Sequence, residues 1–290
     1  MENIKSKIYL TLSMFIFGTI GVFVRFIPFS SATIAFWRGF IGMIFLLVVL
    51  LFKGEKIITS KIKKNLLLLC VSGGFIGINW ILLFEAYRYT TVATATLCYY
   101  MAPVIVIVAS IFLFKESLNF KKVICVVLAL IGMVLVSGIL NESFHIKELK
   151  GVLLGLGAAF FYACVILLNK KIGNIEPIQK TVFQLGSAAI VILPYMLLSG
   201  SGEKTEISVL SVGLLLLVSV VHTGVAYLLY FTAVGNLKAQ TSAVLSYIDP
   251  VVAVILSAVL LKEDIGLLSV LGAVIILCSA LFNELPQKKK

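Results

Sequence analysis

The sequence predicts an all-α integral membrane protein in which ten transmembrane helices form two inverted repeats of five. Two observations carry this prediction. Of the 290 residues, 61% are hydrophobic and only 13% are charged, and the mean hydropathy is +1.13. Soluble domains average about 45–50% apolar and about 25% charged residues. The second observation is that one pattern of residues occurs twice, in two apolar halves of similar length.

Ten apolar segments are each long enough to cross a bilayer as a helix. A hydrocarbon core of about 30 Å needs about 20 residues of helix. The segments are continuously apolar, which excludes the alternating strands of a membrane barrel. They run approximately over 5–24, 31–52, 65–88, 91–114, 122–140, 150–170, 179–199, 208–231, 239–261 and 266–283. The connections between them are short, and the longest is the polar stretch 53–64.

Pairs of residues recur at a fixed spacing of 147 in the two halves. They are Phe84 with Phe231, Ala86 with Ala233, Pro103 with Pro250, and Lys115-Glu116 with Lys262-Glu263. Because each half contains five segments, an odd number, the second half enters the membrane from the opposite side. The sequence therefore predicts inverted repeats over 1–140 and 150–284, followed by a basic cytoplasmic tail over 285–290.

The distribution of lysine and arginine predicts the orientation. With a cytoplasmic N-terminus, 17 basic residues fall on the cytoplasmic side and 6 on the outer side, while Arg38 falls inside a segment. The positive-inside rule therefore predicts a multi-pass protein of the cell membrane with both termini cytoplasmic. Lysines facing an anionic leaflet also account for the net charge of +11. The sequence contains no basic stripe interleaved with stacking aromatic residues, so it does not indicate a nucleic-acid partner.

Both halves contain an alanine-rich stretch, then a mid-segment proline, then a glutamate near the helix end. The first half has Ala86 to Ala95, Ala102-Pro103 and Lys115-Glu116, and the second has Ala233 to Ala243, Asp249-Pro250 and Lys262-Glu263. With its ten segments and short loops, the whole chain resembles the drug/metabolite transporter superfamily, EamA type. The resemblance implies a transporter made of two five-helix units. It specifies the substrate poorly, since members are known for amino acids, sugars, amines and other metabolites.

Pro103 and Pro250 each lie near the middle of a segment. Proline has no N–H, so the carbonyl oxygens four residues back, at Tyr99 and Ser246, lose their helical partners. In a membrane helix this kinks the chain and leaves polar backbone near a cavity. The alternative is a packing kink with no role in binding, but the recurrence of the proline in both halves favours a role in gating or in lining a cavity.

Asp249 directly precedes the second proline, at a position where the first half has Ala102. A carboxyl group near the bilayer centre is costly unless it is paired or neutral, and it usually faces a cavity. Such a group suits a proton-coupling residue. The alternative is a structural hydrogen bond between helices, and we favour the functional role.

Arg38 and Glu85 are two further charged candidates. Their counterparts in the other half are the uncharged Gln184 and Thr232. The guanidinium of Arg38 either clamps a substrate carboxylate or is a structural partner of a carboxylate, Asp249 or Glu85. Glu85 either forms an i,i+3 ion pair with Arg88 or attracts a cation to the outer mouth.

His222 lies near the middle of the eighth segment, where the first half has Phe75. It either shuttles protons near neutral pH or forms a neutral hydrogen bond between helices. Three aromatic residues, Trp37, Tyr100 and Tyr247, either line an aromatic pocket or pack without a role in binding. Since Asp249, Glu85, Arg38 and His222 are not repeated, the scaffold is symmetric and its polar groups are not. A single binding site between two halves requires such an arrangement.

These observations predict a secondary active transporter, a proton-coupled exporter or exchanger of a small polar metabolite such as an amino acid or amine. The alternatives are a membrane-embedded enzyme, for which the sequence offers no nucleophile–base motif, and a non-transporting membrane scaffold. The five cysteines form no CxxC or Cys/His cluster, so we expect neither a metal nor a cofactor. The expected partners are a small-molecule substrate, the lipid bilayer and protons, and we expect a monomer or homodimer.

Overall fold

The computed structural model describes residues 4–54, 59–114, 120–136, 140, 146–173, 175–199, 208–234, 236–237 and 239–284, and these contain no strand. The first half contains α1 (Ile4–Arg25), α2 (Ser31–Phe52), α3 (Thr59–Tyr89), α4 (Val92–Tyr99), α5 (Ala102–Phe114) and α6 (Phe120–Val136). The second half contains α7 (Ile146–Lys171), α8 (Pro177–Ser199), α9 (Val209–Leu217), a π segment (Val218–Val225), α10 (Ala226–Val234), α11 (Ala239–Ser246), α12 (Ile248–Val259) and α13 (Leu267–Glu284).

These elements make ten crossings of the membrane. Among the described residues, seven helical stretches are long and apolar enough to span a bilayer by themselves. Shorter apolar helices lie in α6, α12 and α13. The fourth crossing joins α4 to α5, the eighth joins α9, the π segment and α10, and the ninth joins α11 to α12. The prediction of an all-α membrane protein with ten transmembrane helices is confirmed.

Some predicted boundaries differ from the structure. Helix α3 begins at Thr59 rather than at 65, because Lys61, Lys63 and Lys64 continue the helix beyond its apolar part. Lysine is a good helix former, and its ammonium group can reach water from a helix end. The predicted ninth segment, 239–261, is two helices instead of one. The Lys115-Glu116 pair and the tail 285–290 lie outside the described residues.

Each interface between the two halves either has a symmetry-equivalent second interface or joins two equivalent helices. Helix α3 packs against α7 as α1 packs against α10, and α3 packs against α8 as α2 packs against the π segment. The interfaces of α2 with α8, α4 with α12 and α6 with α13 join equivalent helices of the two halves. A two-fold axis in the membrane plane produces this pattern.

Contacts at both ends of α3 show that it runs antiparallel to α7. Lys150 near the start of α7 donates to the Tyr89 hydroxyl at the end of α3, with an Nζ–O distance of 2.7 Å. At the opposite end, the backbone N–H of Gly173 donates to Asn65 Oδ1 over 3.2 Å. The third and sixth crossings therefore pass through the membrane in opposite directions.

Two glycines bring α6 and α13 into backbone contact. A Cβ on Gly132 would lie 2.8 Å from the Gly272 carbonyl oxygen, and a Cβ on Gly272 would lie 2.5 Å from that of Gly132. Small residues allow this approach, which drives helix association where lipid removes the hydrophobic difference between protein and solvent.

Replacement of Gly272 by alanine is expected to destabilise the protein. The added methyl group forces the two backbones apart, and overpacking of this kind costs about 1–3 kcal/mol. Thermal unfolding in detergent should show a lower midpoint for Gly272→Ala. The control is Gly213→Ala, since a Cβ at Gly213 meets nothing within 4 Å. Equal midpoints for the two variants would contradict the close contact of α6 and α13.

Candidate functional site

Two helix breaks lie close together between the two halves. Tyr100 and Met101 separate α4 from α5, and Tyr247 separates α11 from α12. The ring centroids of Tyr100 and Tyr247 are 6.5 Å apart. Each break lies two or three residues before a proline, Pro103 or Pro250, because proline has no N–H to donate to the carbonyl four residues back.

Asp249 lies beside the second break, in the first turn of α12. The Tyr100 hydroxyl donates to Asp249 Oδ2 over 2.7 Å, which links the two halves of the chain. The N-terminus of a helix favours a negative charge, so the carboxylate is placed where the backbone supports it. Asp249 thus has both a hydrogen-bond partner and a favourable backbone field.

Tyrosines from both halves surround this carboxylate. The Tyr99 ring centroid lies 6.0 Å from that of Tyr100 and 5.2 Å from that of Tyr162 on α7. Tyr99, Tyr100 and Tyr162 are all within electrostatic range of Asp249. The surroundings of Asp249 therefore combine aromatic faces with hydroxyl groups.

Arg38 is buried, with 5% of the residue exposed. Its Nε donates to Thr223 Oγ1 over 2.7 Å, and its guanidinium carbon lies 4.2 Å from the Trp80 ring centroid and 5.6 Å from that of Phe84. Within the described residues it forms an ion pair neither with Asp249 nor with Glu85. Asp249 lies within electrostatic range of Arg38 without forming an ion pair with it.

Gln184, the counterpart of Arg38, makes the equivalent connection in the other half. Its Nε2 donates to Ser72 Oγ over 2.6 Å and to Asn169 Oδ1 over 2.8 Å. Each residue thus joins the second crossing of its own half to the third crossing of the other. The two residues differ in their remaining donors, because the terminal nitrogens of Arg38 have no hydrogen-bond partner among the described residues.

His222 lies in the π segment, with 1% of the residue exposed. Its Nε2 is 2.8 Å from the Thr19 hydroxyl oxygen on α1, and its ring packs edge-on against Phe23 with centroids 5.1 Å apart. The Thr19 hydroxyl donates to the carbonyl oxygen of Ile16 over 2.7 Å. Its oxygen is then left to accept from His222, so the histidine connects α1 to the π segment.

The side chains of Glu85 and Trp37 are not part of the polar centre, the group formed by Arg38, Thr223, His222, Tyr100 and Asp249. Glu85 Oε2 accepts from the Ser31 hydroxyl over 2.7 Å and lies 3.9 Å from Arg88 Nη1, at the ends of α2 and α3. A cavity of about 240 Å³ beside it is lined by residues of α1, α2 and α3, including Ser31 and Arg88. Trp37 is 38% exposed and packs against Phe36 and Phe40. Among the described residues, neither side chain forms a hydrogen bond, an ion pair or a ring contact with Asp249 or Arg38.

A second polar group, the Glu263 cluster, joins three helix ends and comprises Arg25, Thr90, Val92, Ser257 and Glu263. Glu263 Oε1 lies 3.3 Å from Arg25 Nη2, and Oε2 accepts from the Val92 backbone N–H over 2.8 Å. The Ser257 hydroxyl also donates to Glu263 Oε2. Arg25 Nη1 donates to the Thr90 carbonyl over 3.5 Å. The cluster therefore joins α1 and α4 of the first half to α12 of the second.

The sequence did not predict the hydrogen-bond and ring partners of Arg38 and His222. Thr223, Trp80 and Thr19 were not singled out for Arg38 and His222, and Glu263 was noted only as part of a repeated pair. One signal was present, because the 147-residue repeat matches His222-Thr223 with Phe75-Ile76. A change from two apolar residues to two hydrogen-bonding residues marks the position where the halves differ.

The fold and the polar centre together define a class of protein. Two inverted five-helix halves meet at broken helices, and unrepeated polar side chains lie between them. Membrane transporters are built in this way, with their sites at the interface of the repeats and at discontinuous helices.

The sequence profile of the EamA-like transporter family matches residues 5–138 and 149–284. The chain belongs to this family, and the predicted resemblance to the drug/metabolite transporter superfamily is confirmed.

Relatives agree with this assignment. The chain is 31% identical over 274 residues to the "Uncharacterized transporter YxxF" of Bacillus subtilis strain 168, covering 93% of this chain and 86% of the relative. It is 34% identical over 183 residues to a "Probable amino-acid metabolite efflux pump" of Salmonella typhimurium strain LT2, covering 59% and 60% of the two chains. A crystal structure of another protein shares the fold with a TM-score of 0.65 over 96% of both chains, at 16% identity.

Removal of the Glu263 carboxylate is expected to destabilise the protein. In Glu263→Ala, the Val92 N–H and the Ser257 hydroxyl lose their acceptor, and an unsatisfied buried polar group costs about 1–3 kcal/mol. Thermal unfolding in detergent should show a lower midpoint. Asp264→Ala is the matched control, because it removes the exposed neighbouring carboxylate. A midpoint for Glu263→Ala equal to that of the control would mean that the cluster contributes nothing to stability.

Proposed function

We propose that this protein is a proton-coupled secondary transporter that exports or exchanges a small metabolite such as an amino acid or amine across the cell membrane. The observation that carries the proposal is Arg38, a buried cation whose terminal nitrogens have no hydrogen-bond or ion-pair partner among the described residues. An arginine inside a membrane protein requires a partner or water. A carboxylate on the transported molecule supplies the missing anion.

Asp249 provides the second half of the site. Arg38 and Asp249 lie within electrostatic range of each other. A zwitterion places its carboxylate at Arg38 and its ammonium group at Asp249. The Salmonella relative is named a "Probable amino-acid metabolite efflux pump", which supports this class of substrate.

Proton coupling follows from competition at Asp249. A protonated carboxyl group is neutral and has less attraction for an ammonium group than a carboxylate has. Proton entry from one side therefore favours release of the substrate, and substrate binding favours release of the proton. This exchange lets a proton gradient drive the metabolite in the opposite direction.

Alternating access is assigned to the two halves, 1–140 and 150–284. Exchange of conformation between inverted halves turns a site open to one side into a site open to the other. The two proline breaks beside Tyr100 and Tyr247 are the points where the crossings can bend. The lysine distribution supports both termini in the cytoplasm. The protein acts in this scheme as a carrier, not an enzyme, and as a monomer or homodimer.

Transport by the purified protein tests the proposal. The full chain is reconstituted in liposomes and offered radiolabelled protein amino acids and the amines formed by their decarboxylation, with and without a pH gradient. At least one amino acid or amine is expected to move faster when protons can flow in the opposite direction. Protein-free liposomes are the control. If no compound moves under any gradient, the proposed function is wrong.

The variant Asp249→Asn is expected to abolish movement driven by the pH gradient while preserving exchange of labelled for unlabelled substrate. Asparagine keeps the size and an acceptor for Tyr100 but cannot bind and release a proton. Asp264→Asn is the control, since Asp264 is an exposed carboxylate near the end of α12. Gradient-driven uptake that is unchanged in Asp249→Asn would exclude Asp249 from coupling.

A further inference from the structure

Two contacts fix the guanidinium plane of Arg38. One face lies against Trp80, with 4.2 Å from the guanidinium carbon to the ring centroid, and the Nε edge is bonded to Thr223. Stacking alone lets the group rotate within its plane, whereas an in-plane hydrogen bond alone lets it swing about that bond. Together they leave one orientation, so Arg38 has its direction before any substrate arrives.

The bond to Thr223 also decides which edge of the guanidinium is available. A guanidinium can bind a carboxylate in bidentate fashion through its two terminal nitrogens or through Nε and one terminal nitrogen. In this structure Thr223 occupies Nε, which removes the side-on arrangement. The end-on edge with both terminal nitrogens remains for a ligand.

Thr223 is itself held on its other side. A Cβ on Gly42 would lie 2.5 Å from Thr223 Cγ2, so the methyl group of the threonine fills the space that the glycine leaves on α2. This contact favours the rotamer in which the hydroxyl faces Arg38, and the hydroxyl itself is the group that holds the guanidinium. Threonine supplies both groups, whereas valine lacks the hydroxyl and serine lacks the methyl group.

The π segment brings Thr223 to this place. Consecutive residues of the segment contact two different helices, His222 at Thr19 of α1 and Thr223 at Arg38 of α2. Single π turns often occur at functional sites, where they reorient side chains at a cost in backbone stability. The equivalent interface, between α8 and α3, has Gln184 at the position of Arg38 and Ile76 at the position of Thr223, so the hydroxyl and the guanidinium occur together.

We propose that Thr223 is a positioning residue that holds Arg38 in the end-on orientation, and that it thereby gives the site its preference for substrates with a carboxylate. This inference rests on the proposed function and adds a specificity determinant to it. Thr223 does not contact the substrate. It acts through Arg38, and its loss lets the guanidinium rotate and weakens carboxylate binding.

Transport kinetics of Thr223→Val test this inference. The probes are the best-transported amino acid of the liposome assay and the amine that lacks its carboxylate. Valine keeps the shape and the contact with Gly42 but removes the acceptor of Arg38. We expect the KM for the amino acid to rise about tenfold, since a hydrogen bond to a charged group is lost, with a much smaller change in maximal rate. The KM for the amine should stay within about twofold.

Two further variants separate positioning from a general loss of structure. Thr223→Ser restores the hydroxyl and should recover most of the amino-acid KM. Thr232→Val removes the hydroxyl of an exposed threonine in α10 that bonds only within its own helix, and it should behave as the wild type. If Thr223→Val does not fold, Thr223→Ala and Thr223→Ser form the comparison, with loss expected for alanine alone.

The outcomes distinguish the two proposals. If the wild type transports amino acids and Thr223→Val leaves the KM for both probes unchanged, only the role of Thr223 is wrong. An equal rise for the amino acid and the amine, or a wild type that prefers the amine, also overturns it. If the wild type moves neither probe, the proposed function fails, and this inference fails with it.

Discussion

The bilayer imposes one constraint on which the rest of this structure depends. Hydrocarbon offers no hydrogen bonds, so every backbone N–H and C=O within it must find a partner in the protein. Continuous helices meet this requirement anywhere, whereas a break in a helix is tolerated only where other protein groups or water replace the lost bonds. The breaks at Tyr100 and Tyr247 accordingly lie together between the two halves. The polar centre is where the fold can accommodate irregular backbone.

The same constraint explains why the asymmetry of the chain is informative. Equivalent positions on the second and seventh crossings carry Arg38 and Gln184, and each connects its helix to the other half. Gln184 is satisfied by Ser72 and Asn169 and leaves a closed structural contact. Arg38 makes the same kind of contact and still has donors left over. Both halves therefore contain an equivalent hydrogen-bonded contact between helices, and only the one with Arg38 has donors available for a ligand.

Much of the fold follows from the sequence because the membrane reduces folding to a question of length. A run of about 20 apolar residues becomes a crossing, and a mid-segment proline such as Pro103 becomes a break. The 147-residue repeat with an odd number of crossings gives inversion. These rules depend on composition and counting, which the sequence states directly.

The polar centre was less predictable because it depends on rotation about helix axes. The π segment at Val218–Val225 uses the same apolar residue types as an α-helix, so no local pattern announces it. Its extra residue per turn decides that Thr223 faces Arg38 and that His222 faces Thr19. The role of Trp80 depends on which residue of α2 lies above its ring, and no sequence pattern states this. Candidates could be named, but their partners required coordinates.

The Glu263 cluster has a consequence for how the two halves can separate. Thr91 caps α4 from within the first half, since its hydroxyl oxygen accepts from the Thr94 N–H. The second half adds two acceptors, because the Glu263 carboxylate accepts from the Val92 N–H and Ser257 accepts from the Ala93 N–H. The bond from Thr91 lies within the first turn of α4, whereas the bonds to Glu263 and Ser257 exist only while α12 stays beside α4. Separation of the two halves at this end breaks both of these bonds and leaves two N–H groups of α4 without an acceptor, so the start of α4 resists the opening of this end.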